Sequence, residues 1–136
     1  MTIEAKLEKW VSDFEFIDDA TMKLEFLIDL AKQPTDFLES YRRDENLIGG
    51  CQSKIWVSVL LGPKGEVCVD YDSDAMITKG ITHIVCDCFN GLTLAQAKKV
   101  KRENFEVLGI DQLLTQQRRN GLGNLIDTII TKVHKL

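Results

Sequence analysis

The sequence has few of the residues that mark a secreted, membrane or metal-binding protein. Its 136 residues include four cysteines, two histidines and two prolines, and nowhere the C-x-x-C spacing of zinc ribbons and thioredoxins. No apolar run is long enough to cross a membrane, and the first residues lack the apolar core of a secretory signal peptide. We therefore expect a cytoplasmic protein in which the thiols stay reduced.

Clusters of basic residues are also missing. The 17 Lys and Arg residues are outnumbered by 21 Asp and Glu residues, which gives a net charge of −4. A mildly acidic chain of this kind is a poor match to nucleic acid. Its 44% hydrophobic and 28% charged residues are ordinary for one globular domain. We expect a single domain over residues 1–136 that binds neither nucleic acid nor a membrane.

Helical spacing of apolar residues gives way to strand-like alternation and then returns. The predicted elements are helices over 3–14 and from Asp18 or Asp19 to before Pro34, strands over 53–61 and 67–71, and helices over 73–88, 93–100, 111–118 and 122–133. The two strands are separated by a Gly-Pro turn and form an antiparallel hairpin. This order predicts an α+β domain, with a small antiparallel β-sheet packed against several helices.

Cys51 lies in the most informative stretch, Gly49-Gly50-Cys51-Gln52-Ser53, directly before the first predicted strand. Glycines relax the backbone constraint, and polar residues suit a loop better than a core. This pattern predicts a thiol on a loop that another protein can approach. The alternative is a buried cysteine that acts as a small hydrophobic residue.

The other three cysteines fit structural roles better. Cys86 and Cys88 are two residues apart on a predicted helix, so their side chains point about 200° apart and do not bind one metal ion together. Cys88 extends an apolar stripe, which indicates the core. Cys68 lies on the second strand, where it is structural or part of the exposed face.

Three further patterns are weaker. The acidic stretch from Asp70 to Asp74 begins like a calcium loop but lacks the required glycine and glutamate, which leaves a negative patch or a solvated turn. His83 could act with Cys51 in a hydrolase, since such pairs form in space, but nothing in the sequence supports it. Arg118 and its neighbour Arg119 could bind an anion or a partner's carboxylates, or be solvated.

Gly50-Cys51-Gln52-Ser53, with Trp56 three positions later, resembles the signature of the SufE/CsdE sulfur-acceptor family. Other landmarks agree in order and spacing across most of the chain. They are Lys23 with Ile28-Asp29-Leu30, Asp72-Ser73-Asp74-Ala75 with Lys79-Gly80, and Arg118 with Asn120-Gly121-Leu122. The resemblance implies a fold shared with the IscU-type scaffolds on which iron–sulfur clusters are assembled.

The resemblance also implies a function. Cys51 would carry persulfide sulfur taken from a pyridoxal-phosphate-dependent cysteine desulfurase, and would pass it to a downstream iron–sulfur scaffold complex. The protein would stimulate that enzyme rather than catalyse a reaction alone, and would need no cofactor or metal of its own. The resemblance gives supporting or partner-binding roles to Asp74 and Arg118. The local loop pattern around Cys51 adds Gly49, Gly50, Gln52 and Ser53 to these supporting residues.

Two questions stay open at this point. The alternative function is an IscU-like metal or iron–sulfur scaffold, which would need several ligands around one site. The sequence also departs from the family at Leu113 and Gln116, where members often carry histidine and proline before the arginine. That departure affects the local turn and partner preference. We expect the chain to be a monomer or a homodimer.

Overall fold

Two helices precede a β-hairpin and three follow it in the computed structural model, which describes residues 1–49 and 53–136. The helices are α1 (Ile3–Glu15), α2 (Ala20–Ala31), α3 (Met76–Phe89), α4 (Leu94–Lys98) and α5 (Gln116–His134). The strands are β1 (Ile55–Leu61) and β2 (Val67–Ser73), and short 3-10 helices span Glu39–Tyr41, Asp44–Asn46, Arg102–Leu108 and Ile110–Leu113. The predicted α+β class is confirmed.

The antiparallel hairpin packs its apolar face on the helices. Its register pairs Ile55 with Ser73 at one end and Leu61 with Val67 at the other. Strand β1 begins two residues later than predicted, and β2 extends two residues further. Helix α3 lies under this face and is itself covered by α2, so most of its side chains are buried. Among the described residues, every helix is too short or too polar to span a bilayer.

The start of α5 differs from the prediction. The sequence predicts a separate helix over 111–118, and that boundary is wrong. The chain instead forms a 3-10 helix over Ile110–Leu113 and begins α5 at Gln116. The hydroxyl of Thr115 accepts a hydrogen bond from the Arg118 N–H at 3.3 Å and so caps α5. Arg118 therefore lies in the first turn of the last helix rather than before it.

The residues that depart from the family pattern are accommodated at this boundary. Leu113 ends the 3-10 helix, and Gln116 occupies the first helical position, which proline also favours. The Gln116 side chain donates to the Asn120 side-chain oxygen at 3.1 Å, one turn further along. The hydrogen bond between Gln116 and Asn120 therefore supports the first turn of α5 in the absence of proline.

We expect Thr115→Ala to lower the free energy of unfolding by about 1 kcal/mol, because an N–H at the start of α5 loses its acceptor. Urea denaturation measures this change. Thr115→Ser keeps the hydroxyl and should unfold at the wild-type urea concentration. Equal losses in the two variants would contradict the capping role.

Candidate functional site

The predicted site falls partly outside the described residues. Gly50, Cys51 and Gln52 lie there, so the position of the Cys51 thiol stays a prediction. The structure describes the four other predicted site residues, which are Gly49, Ser53, Asp74 and Arg118. We call residues 49–54 the Cys51 loop and define the site by the residues around it.

The two arms of the Cys51 loop are joined by backbone contacts at its base. The Ile48 N–H donates to the Ile55 carbonyl at 2.8 Å. Leu47 forms an isolated antiparallel bridge with Trp56 at the next position. Both ends of the loop therefore lie at one end of the hairpin, where β1 begins.

Each arm has a further anchor from a more distant part of the chain. On the second arm, the Lys54 N–H donates to the Asp74 carboxylate at 2.9 Å, and the Asp74 N–H donates back to the Lys54 carbonyl at 3.2 Å. On the first arm, the Asn124 side-chain amide donates to the Gly49 carbonyl at 3.1 Å. Asp74 thus supports the loop rather than facing solvent alone. Sequence reasoning missed Asn124.

A cleft between α3 and α5 adjoins the second arm and brings Ser53 and Arg118 to the same place. It has room for a few water-sized groups, about 70 Å³. Its lining is Ser53, Ile55, Thr78, Ile81, Thr82, Gln117, Arg118, Gly121, Leu122 and Leu125. The Arg118 side chain is exposed and makes no ion pair within the described ranges. Its positive charge therefore stays available beside the loop.

Cys68 lies far from the Cys51 loop. It pairs with Leu60, five residues along β1 from Ile55, which is roughly 17 Å at ~3.4 Å per strand residue. Partial burial raises the pKa of the Cys68 thiol, and the carboxylates of Glu66 and Asp70 raise it further. Cys68 therefore does not reach the loop base while the hairpin is intact.

Cys86 and Cys88 are core residues, as predicted. Both are fully buried in α3. Burial raises the pKa of the Cys86 thiol well above its ordinary value, and raises that of Cys88 to about 12. Both thiols are therefore protonated and inaccessible at neutral pH, where the thiolate is the reactive form.

We expect iodoacetamide at pH 7 to leave Cys86 and Cys88 unmodified in the folded protein and to alkylate both in denaturant. Peptide mass mapping measures this. Unfolded thiols have an ordinary pKa near 9.0 and lose protons that the folded core retains. The free energy of unfolding should thus fall as the pH rises from about 9 toward 12. Alkylation of Cys86 or Cys88 at the rate of an exposed thiol would contradict this arrangement.

His83 faces away from the cleft. Its ring hydrogen-bonds the Tyr71 hydroxyl through Nδ1 and stands edge-on to Trp10, with ring centroids 5.9 Å apart. Burial lowers the pKa of His83, which favours the neutral ring. The α3 residues that line the cleft include Thr78 and Thr82 instead. The geometry therefore does not favour a hydrolase in which His83 activates Cys51.

The acidic stretch before α3 is largely paired. Burial raises the pKa of Asp72, but hydrogen bonds from Arg42, the Ser73 N–H and Lys79 outweigh it and hold the pKa below its usual value. Arg42 lies 2.7 Å and Lys79 3.2 Å from the Asp72 carboxylate. Within residues 1–49 and 53–136, no three His, Cys, Asp or Glu side chains come together to hold a metal ion.

The chain is similar to members of one protein family, and a solved structure shares its fold. The SufE family, described as an Fe-S metabolism associated domain, matches residues 8–133. A solution structure of a hypothetical protein from Thermus thermophilus superimposes with a TM-score of 0.77 and 17% sequence identity. The match covers 96% of this chain and 94% of that one. At this identity, the structural likeness shows the fold alone.

Proposed function

Since the chain belongs to the SufE family, which is associated with iron–sulfur metabolism, we propose that it is a sulfur acceptor. It takes persulfide sulfur from a pyridoxal-phosphate-dependent cysteine desulfurase onto Cys51. It then passes the sulfur to a downstream iron–sulfur scaffold complex. The pyridoxal phosphate belongs to the desulfurase, and this chain carries only the transferred sulfur. We expect the exchange to occur in the cytoplasm, where thiols stay reduced.

The proposed reaction is a thiolate exchange. The Cys51 thiolate attacks the outer sulfur of the desulfurase persulfide and forms a new sulfur–sulfur bond. The bond between that sulfur and the desulfurase cysteine breaks, and the electron pair leaves with the desulfurase thiolate. No external oxidant or reductant is required. The rate depends on the thiolate fraction of the attacking cysteine, the pKa of the leaving thiol and access to the sulfur.

The observation that supports this proposal is the placement of the three described thiols, Cys68, Cys86 and Cys88, together with that of the residues on either side of Cys51. Cys86 and Cys88 are buried and protonated, and Cys68 is partly buried roughly 17 Å from the loop base at ~3.4 Å per strand residue. Cys51 belongs to a loop whose arms are joined at the base, beside a cleft with an available arginine. A loop thiol of this kind suits transfer between proteins, because both partners must reach it.

The residues around the loop have separable roles in this proposal. Asp74 holds the second arm through Lys54, and Ser53 and Arg118 line the adjacent cleft. The Arg118 charge would favour a thiolate or persulfide anion nearby, because a cation lowers the pKa of a thiol. Gly49, Gly50 and Gln52 would give the loop the freedom to present Cys51 to a partner.

We further propose that the resting loop turns Cys51 toward apolar neighbours and that the desulfurase draws it out. The cleft offers suitable neighbours, including Ile81 and Leu125. Such a position would protect a persulfide from reductants and oxygen between the two transfers. The thiol would then be released only when a partner supplies compensating contacts.

The test is the rate of alanine formation by a cysteine desulfurase, with free cysteine as substrate and a fixed concentration of dithiothreitol, which removes the sulfur from Cys51 after each transfer. Adding this chain should raise the rate several-fold, because Cys51 removes the persulfide that limits turnover. A sample with its accessible thiols blocked by alkylation is the matched control and should have no effect. No stimulation of an active desulfurase by the unmodified chain would contradict the proposal. Bound iron or zinc in protein purified without oxygen would instead favour a metal scaffold.

A further inference from the structure

The Arg42 guanidinium group occupies a layered site on the outer side of the hairpin. It lies over the Phe37 ring at 5.1 Å and over the Trp56 ring at 4.6 Å from each centroid. One terminal nitrogen is 2.7 Å from the Asp72 carboxylate and 3.0 Å from the Glu39 carboxylate. Each of these contacts favours the charged group in one orientation.

This site connects the two sequence segments that flank Cys51. Arg42 precedes the Cys51 loop, and Trp56 follows it. The contact between Arg42 and Trp56 therefore joins the segment before Cys51 to the strand after it. Two backbone links join the same segments closer to Cys51, at the loop base. Loss of this outer contact would leave the short backbone links between the arms, with the separate anchors of each arm at Asp74 and Asn124, to restrain the loop.

The groups around Arg42 hold its side chain in one position. Its carboxylate partner Asp72 is also held by Lys79 and by the Ser73 N–H, and it pairs with Trp56 across the hairpin. The Arg42 side chain is only 30% exposed. A planar guanidinium group can stack on a ring and donate to carboxylates at the same time, and a lysine cannot.

We propose that Arg42 is a positioning residue for the Cys51 loop, which it restrains by joining the arm before Cys51 to the strand after it. The inference rests on the proposed sulfur transfer. Restricting the loop limits the conformations that Cys51 must sample before it meets a partner's persulfide in line. Arg42 acts through the loop and does not touch the transferred sulfur.

The neighbouring residue offers a matched control. Arg43 forms an ion pair with Glu45, and both side chains are more than half exposed. Such surface pairs contribute little to stability. Arg43→Met therefore removes the same charge and the same side-chain type one residue away, without disturbing the stack on Trp56.

The test compares Arg42→Met, Arg42→Lys and Arg43→Met by two measurements. In the isolated protein, the rate of Cys51 alkylation by iodoacetamide should rise about threefold in Arg42→Met, because the loop samples more open conformations. With the desulfurase, the part of kcat that this chain adds above the rate of the desulfurase alone should fall about tenfold, while KM for this chain changes less than twofold. Arg42→Lys should recover less than half of either change, and Arg43→Met should match wild type.

The outcomes separate this inference from the proposed function. If wild type stimulates the desulfurase and folded Arg42→Met keeps both wild-type rates, the positioning role is wrong and the sulfur-acceptor proposal stands. If wild type does not stimulate an active desulfurase, the proposed function fails, and the alkylation rates still decide whether Arg42 restrains the loop. Should Arg42→Met fail to fold, Arg42→Lys keeps the charge and decides the question by the same rates.

Discussion

The Cys51→Ser variant is expected to reduce the alanine-forming rate to that of the desulfurase alone. A serine hydroxyl stays protonated at neutral pH and does not replace a thiolate as the attacking group. The substitution is close in size, so the fold should be retained. This is the largest functional effect that the account predicts, and the measurement is the desulfurase rate at saturating concentrations of the variant.

Cys68→Ser is the matched control for the loss of a thiol. It removes a sulfur atom from the far end of the hairpin, where Cys68 pairs with Leu60. Stimulation by this variant should equal that by wild type. If Cys51→Ser still stimulated the desulfurase, or if Cys68→Ser failed to stimulate it, sulfur would reach a residue other than Cys51.

The largest expected effect on stability comes from Gly80→Ala. A Cβ atom on Gly80 would lie 2.0 Å from the carbonyl oxygen of Leu27 and 2.7 Å from its carbonyl carbon. These are backbone atoms of α2, so no side-chain rotation relieves the overlap and the two helices must separate. We expect the free energy of unfolding to fall by about 3 kcal/mol, with a Tm about 10 °C lower.

Thermal unfolding monitored by circular dichroism measures this effect, with Gly49→Ala as the control. A Cβ atom on Gly49 would meet nothing within 4 Å, and Gly49 has no positive φ that would strain alanine. Its Tm should therefore stay close to that of wild type. If Gly80→Ala unfolded at the same temperature as wild type, the close approach of α2 and α3 would be wrong.

Much of the fold could be predicted because its signals are local. Alternating apolar residues identify the hairpin. Asp19 and Thr93, which lie at the predicted starts of two helices, accept hydrogen bonds from backbone N–H groups in the first turns of α2 and α4. The start of α5 was missed although Thr115 is a favourable cap. The apolar stripe alone begins at Leu122, and the first turn of the helix is polar and exposed, so periodicity gives no signal there.

The functional site could likewise be predicted only in part. The residues around Cys51 form a compact motif that can be read directly from the sequence, and the family resemblance adds Asp74 and Arg118. The supports at Asn124 and Arg42 could not be found, because each meets its partner across a long stretch of chain. Asn124 contacts Gly49 75 residues away, and Arg42 contacts Asp72 30 residues away. Such contacts depend on how the elements are arranged in space.

The central claim, that Cys51 carries the sulfur, is tested most directly by locating the added mass. The chain is mixed with a cysteine desulfurase and free cysteine, alkylated and digested with trypsin. Cleavage after Arg43 and Lys54 releases Cys51 in a peptide that contains no other cysteine. The account predicts the mass of one extra sulfur atom on this peptide, removed by reductant. An unmodified Cys51 peptide, with sulfur on the Cys68 peptide or nowhere while the desulfurase is active, would contradict it.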